Sequence, residues 1–170
     1  MDNITRKVAV VSGGLSVPSS TRMLADRLGQ SVTSRLADDG VAAEVTTVEL
    51  RDLAQDITNN LLTGFPSPKL AAALEAVTGA DGVVFVTPIF STSYSGLFKS
   101  FIDVLDPDAL TGKPVLIGAN AGTARHSLAI VQPARDLLAR PDRVERRQIA
   151  RHERPQPQAP GLDQRITRAS

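Results

Sequence analysis

The chain has 170 residues, of which 42% are hydrophobic and 22% charged, a balance that suits one soluble domain burying about two-thirds of its unfolded surface. It has no Cys, which excludes disulfides, thiolate metal sites and a cysteine nucleophile. The formal net charge of +1 hides an asymmetry: residues 1–130 carry 10 basic and 13 acidic side chains, net −3, while residues 131–170 carry 9 and 5, net +4.

The first residues form one polar turn and then a β-like run, without the apolar core of a secretion signal. No apolar run approaches the ~20 residues of a membrane span, so a cytoplasmic protein with no membrane partner is expected. Residues 7–12 (KVAVVS) are β-branched and apolar, the pattern of a strand buried on both faces. Residues 13–20 (GGLSVPSS) read as a loop. A helix over 21–38 follows, with Leu24, Leu28, Val32 and Leu36 at helical spacing and Asp39-Gly40 as its stop. Residues 41–48 read as a second strand. Residues 49–60 are polar apart from Leu50, Leu53 and Ile57 and read as a loop with one or two helical turns. Ser67-Pro68 opens a helix striped by Leu70, Ala73, Leu74 and Val77. Residues 80–87 (ADGVVFVT) are a third strand, 97–105 a helix, and 113–119 (KPVLIGA) a fourth strand.

Strands alternating with helices predict an α/β fold, a three-layer doubly wound parallel sheet. In such sheets the ligand lies at the carboxyl ends of the strands, so the loops leaving strands one, three and four are the candidate site. The first loop opens a helix whose N-terminus offers unpaired N–H groups and about half a positive charge. The hydroxyls of Ser16, Ser19, Ser20 and Thr21 add donors, which makes a phosphate cradle without a P-loop lysine. The bland alternative is that one of these hydroxyls caps the helix. Thr111-Gly112-Lys113-Pro114 imitates a P-loop tail, but it precedes a strand and ends in Pro. The second loop, from Thr87 to Lys99, mixes aromatic rings and hydroxyls and can wall a flat aromatic ligand. Its alternative is a packed connection with Phe90 in the core. In the third loop, 119–126, small residues allow close backbone approach and Arg125 can meet an anion. His126 has no carboxylate or nucleophile placed to form a triad with it, and no catalytic side chain and no metal ligand set is expected.

Together these loops resemble the NAD(P)H-dependent FMN reductase family, of flavodoxin-like fold. The family's first motif runs G-S-x-R-x-x-S-x-N; Gly13 and Ser19 fit it, while Gly14, Ser16 and Thr21 replace its Ser, Arg and Asn. The second runs P-x-Y-x-x-S-x-P-G-x-L-K-x-x-x-D; Pro88, Ser93, Gly96, Lys99 and Asp103 keep its frame, with Phe90, Ser95 and Phe98 substituted. Gly112-Lys113-Pro114 before a strand and a small-residue loop also fits, and the resemblance spans about residues 5–130. It implies FMN and NADPH or NADH as cofactors, with hydride passing from nicotinamide to flavin N5. By the same resemblance, Ser16, Ser19, Ser20 and Thr21 hold the phosphate, Gly14 and Leu15 are cofactor-binding residues beside them, and Arg22 is the nearby residue that can supply the missing arginine's charge. Pro88, Ile89, Phe90, Ser91 and Thr92 flank the isoalloxazine on one side, and Asn120, Ala121, Gly122 and Thr123 on the other. The expected activity is FMN reduction, with reduced flavin passed to a partner monooxygenase; the alternative is an FMN-binding electron carrier without its own nicotinamide turnover.

Residues 131–170 form a second, atypical segment rich in Arg and Pro. The fifth strand expected of the fold has no matching run there, since 131–154 holds seven Arg, Pro133 and Pro141 and no β-branched run. The family pattern returns at Gly161, as it would after an altered reading frame; a genuine extension with a solvated helix over 134–149 is the other reading. The bases of this segment alternate with acids and lack aromatic neighbours, which does not point to nucleic acid. Strand four would be left as an open edge, which invites pairing in a homo-oligomer.

Overall fold

A computed structural model describes residues 5–91 and 93–121 of the chain. Strand β1 (Thr5–Ser12) leads into helix α1 (Ser20–Asp38), then strand β2 (Ala42–Glu49). A single 3-10 turn over Leu50–Leu53 runs into α2 (Ala54–Thr63), followed by α3 (Pro68–Thr78), β3 (Gly82–Phe90), a two-residue β4 (Ser93–Tyr94), α4 (Gly96–Val104) and β5 (Val115–Asn120). β2, β1, β3 and β5 lie side by side in that order, all parallel, and β4 pairs antiparallel with the end of β3.

Alternation along the strands sends neighbouring side chains to opposite faces. Val8, Val10, Val84 and Val86 face α1, whose Leu24, Leu28, Val32 and Leu36 close over them, as the helical spacing predicts. Ala9, Val11, Val83 and Phe85 face the other way, against Leu50, Leu53, Ile57, Leu70, Val77, Phe98 and Phe101. This second layer holds the fully buried rings, with Phe85 and Phe98 edge to face at 5.7 Å between centroids. Helices cover both faces of the central strands β1 and β3, which are buried along most of their length and read as continuous apolar runs, whereas the outer strand β2 is exposed over much of its length.

Two segments differ from the sequence reading. Residues 49–60 are not a loop with a turn or two: they are helical from Leu50 onward and on to Thr63. Leu50, Leu53 and Ile57 are all buried, so tertiary packing overrides the polar composition. β3 also outruns its predicted end and turns back through Ser91 (φ 46°) into β4, pairing Ile89 with Tyr94 and Phe90 with Ser93. The predicted fifth strand and the whole segment 131–170 lie outside the described residues.

Local contacts explain the ends of the elements. Ser67 caps α3 by accepting from the Leu70 N–H at 3.1 Å, with Pro68 in its first turn. The Lys113 ammonium reaches back to the carbonyls of Val77 and Thr78 at the other end of α3. Lys113 therefore completes a helix terminus and is no phosphate lysine; burial pushes its pKa down. Asp81 sits at the mouth of β3, accepting from the Lys7 N–H at 2.7 Å and from Arg6 at 3.1 Å, and these hold its carboxyl below the usual range.

Candidate functional site

The carboxyl ends of β1, β3 and β5 come together at one edge of the sheet. Gly13, leaving β1, donates its N–H to the Val86 carbonyl of β3 at 2.7 Å. Pro88 of β3 stands in register with Asn120 of β5. The Asn120 side chain then closes the circle. It accepts from the buried Thr21 hydroxyl at 2.8 Å and donates to the Ser20 hydroxyl at 2.8 Å, tying the third loop to the start of α1.

Backbone dominates the first loop. Gly13 is walled by the Val86 carbonyl and Pro88, and a Cβ on Gly14 would overlap Ser19 Oγ. Glycine at both positions therefore lets the loop fold tightly under the helix N-terminus. Ser19 is the N-cap, accepting from the Arg22 N–H at 3.2 Å, so the capping alternative accounts for one hydroxyl. Ser16 donates to the Pro18 carbonyl at 3.0 Å. Ser20 is exposed and accepts from Asn120, which leaves its own O–H free to turn outward. Thr21 is only 3% exposed and spends its proton on Asn120, so its hydroxyl supports the loop from behind. Leu15, Val17 and Pro18 line the exposed outer side.

The two basic residues nearest the loop divide differently from what the sequence suggests. Arg22 turns away along α1, paired with Asp26 at 2.8 Å and with Glu49 at the end of β2. Those carboxylates, Asp26 foremost, raise its pKa above the usual guanidinium value. Arg51, absent from the sequence-based site, instead approaches from the 3-10 turn after β2 and donates from Nη1 to the Ser16 carbonyl at 3.3 Å. It is 35 positions from Ser16, so no local motif could flag it. Its position just past the carboxyl end of a strand was the usable signal.

In the second loop Pro88 and Ile89 are buried, while Phe90 is 48% exposed. The alternative that puts Phe90 in the core is thus not what the fold does; the β3–β4 hairpin lifts the ring out. Tyr94 and Phe98 pack edge to face with each other at 6.1 Å on the core side. Thr87 and Ser95 lock the hairpin base, the Ser95 N–H reaching the Thr87 hydroxyl at 3.2 Å and the Pro88 carbonyl at 3.1 Å. The hydroxyls of Ser12 and Ser95, both buried at this edge, have no hydrogen-bond partner among the described residues. Ala121 is half-buried beside Asn120. Thr92, Gly122, Thr123, Arg125 and His126 lie outside the described residues.

Gathered at one edge are a glycine-walled turn under a helix N-terminus, an outward hydroxyl and an exposed ring, which suits a flat aromatic ligand bearing an anionic group. The NADPH-dependent FMN reductase family matches residues 6–150, past the point where the sequence resemblance stops. An NADH-dependent FMN reductase, SfnF, of Pseudomonas putida is 33% identical over 139 residues, 82% of this chain and 73% of that protein. An NADPH-dependent FMN reductase of Pseudomonas aeruginosa is 33% identical over 133 residues, 78% and 69% of the two chains. Among solved structures, an oxidoreductase from Corynebacterium diphtheriae superposes with a TM-score of 0.76 at 45% identity, covering 81% of this chain and 75% of that one. The apo form of an NADH:FMN oxidoreductase, EMOB, does so with a TM-score of 0.68 at 31% identity, covering 78% and 67%.

Proposed function

Because the chain belongs to the NADPH-dependent FMN reductase family and reduces FMN with a nicotinamide nucleotide, we propose that the edge where the three loops meet is its flavin site. Gly14, Leu15, Ser16, Ser19, Ser20 and Thr21 form the phosphate cradle, through backbone N–H groups and the Ser20 hydroxyl. Pro88, Ile89, Phe90, Ser91 and Thr92 wall one side of the isoalloxazine, and Asn120, Ala121, Gly122 and Thr123 the other. The observation that carries this reading is the pair of hydrogen bonds at Asn120, which donates to the Ser20 hydroxyl and accepts from the Thr21 hydroxyl and so joins the ring-flanking loop to the phosphate-binding one. When bound, FMN supplies the hydride acceptor and the nicotinamide nucleotide the hydride. The protein's own residues bind and orient: the Asn120 tie fixes the spacing between cradle and walls, and the hairpin base at Thr87 and Ser95 holds Phe90 at the rim. No side chain need act as nucleophile or general base.

The functional domain is residues 1–130. Reduced FMN is released to a flavin-dependent monooxygenase, a reading in keeping with a site at the protein surface, where Leu15 and Val17 of the first loop and Phe90 of the second are exposed. The chain assembles as a homo-oligomer, a reading that rests on β5 having only β3 as a sheet partner among the described residues. The carrier alternative is disfavoured by the relatives, which are named reductases. The test is to titrate FMN by fluorescence quenching and to follow NADH and NADPH oxidation with and without added FMN. FMN-dependent oxidation that tracks flavin occupancy is expected, and a protein that leaves FMN fluorescence unchanged refutes the site.

A further inference from the structure

A phosphate monoester carries between one and two negative charges at neutral pH. The proposed cradle meets it with backbone dipoles and hydroxyls, and among its six residues there is no cation. Arg22 is adjacent in sequence, yet its guanidinium is spent on Asp26 and Glu49. Lys113 is spent on the end of α3. Among the described residues, Arg51 is the cation whose side chain touches the loop. Its Nη1 is at 3.3 Å from the Ser16 carbonyl, and its side chain is 33% exposed, so it is neither buried away nor free in solvent. Its acidic neighbour Asp52 takes only Nε, at 3.3 Å, and is itself 55% exposed, which makes a weak, solvated contact. Nη2 has no partner among the described residues. A guanidinium in this state presents a planar edge of N–H donors suited to phosphate oxygens.

Resting on the flavin site proposed above, we infer that Arg51 supplies the positive charge of the phosphate subsite. It comes from the turn after β2, across the fold, to a loop whose own sequence carries none. It also sets which flavin binds: the phosphate ester is favoured over the neutral, dephosphorylated form.

The experiment compares FMN with riboflavin, which has the same ring and no phosphate. Both are titrated by fluorescence quenching into the full-length wild type and the variants Arg51→Ala, Arg51→Gln and Arg51→Lys, at low and high salt. Arg51→Ala and Arg51→Gln are expected to weaken FMN binding about tenfold and leave riboflavin unchanged. Arg51→Lys keeps part of the preference, and the salt dependence of FMN binding flattens when the charge is removed. Thermal unfolding identifies the folded variants, and Arg51→Gln carries the test if Arg51→Ala does not fold. Equal weakening of both flavins would overturn the inference, since that marks a prop for the Ser16 carbonyl and nothing more. So would a wild type and neutral variants with the same preference for FMN, which leaves the cradle standing without Arg51. A wild type that binds the two flavins equally overturns the cradle itself.

Discussion

Replacing Gly14 by Ala tests how the first loop is built. Gly14 does not have a positive φ, so the cost of a side chain there is steric and not conformational. A Cβ would overlap Ser19 Oγ and stand 3.1 Å from Thr21 Cβ. Ser19 must then leave the rotamer in which it accepts from the Arg22 N–H at 3.2 Å. Losing that cap costs about 1 kcal/mol. Crowding the rest of the site adds roughly 1–3 kcal/mol, because Thr21 is buried and tied to Asn120. Gly14→Ala should thus destabilise by about 2–4 kcal/mol in urea unfolding. Ser19→Gly alone should cost only a few tenths of a kcal/mol, since glycine is itself a tolerable N-cap. In that background the clash with Ser19 Oγ is gone, and Gly14→Ala should cost about 1 kcal/mol. The double-mutant cycle therefore predicts a coupling of at least ~1 kcal/mol between the two positions. Equal costs of Gly14→Ala with and without Ser19 would refute the steric argument.

Asn120→Ala removes both hydrogen bonds to the start of α1 and leaves the Thr21 hydroxyl buried without its acceptor, a cost of about 1–3 kcal/mol. Chemical unfolding checks that figure, and flavin titration should show weaker FMN binding; a variant that unfolds early but binds FMN as tightly as wild type counts against the flavin role of the tie. Asp81→Asn tests linkage. The Lys7 N–H first, and then Arg6, lower the Asp81 carboxyl pKa from its ordinary 3.8 in the folded chain. Its ionised form therefore stabilises the fold above 3.8, and that contribution disappears as pH falls through the lower folded value. The stability gap between wild type and variant should shrink in that acid range, and urea midpoints showing a constant gap down to strong acid would contradict it.

Periodicity made most of the framework legible. Leu24, Leu28, Val32 and Leu36 recur at the helical repeat and do close one face of the sheet. Residues 8–11 (VAVV) and 83–86 (VVFV) are unbroken apolar runs because α1 covers one face of these strands and α2–α4 the other. Gly40 and Ser67 terminate and open helices for local backbone reasons that sequence carries directly. The positions of the candidate loops followed as well, since a parallel sheet brings the carboxyl ends of its strands to one edge.

Direction and distant partnership were decided only by the tertiary structure. Arg22 is next to the cradle in sequence, but Glu49, brought alongside by the β1–β2 pairing, draws its guanidinium away. Arg51 is remote in sequence and reaches the loop because the chain turns sharply after β2. Phe90 could have packed inward; the two-residue pairing with β4 leaves it outside. Sequence patterns record what each residue prefers locally and which face it shows. Which side chain meets which is settled by strand register and turn geometry, and these arise from contacts many residues apart.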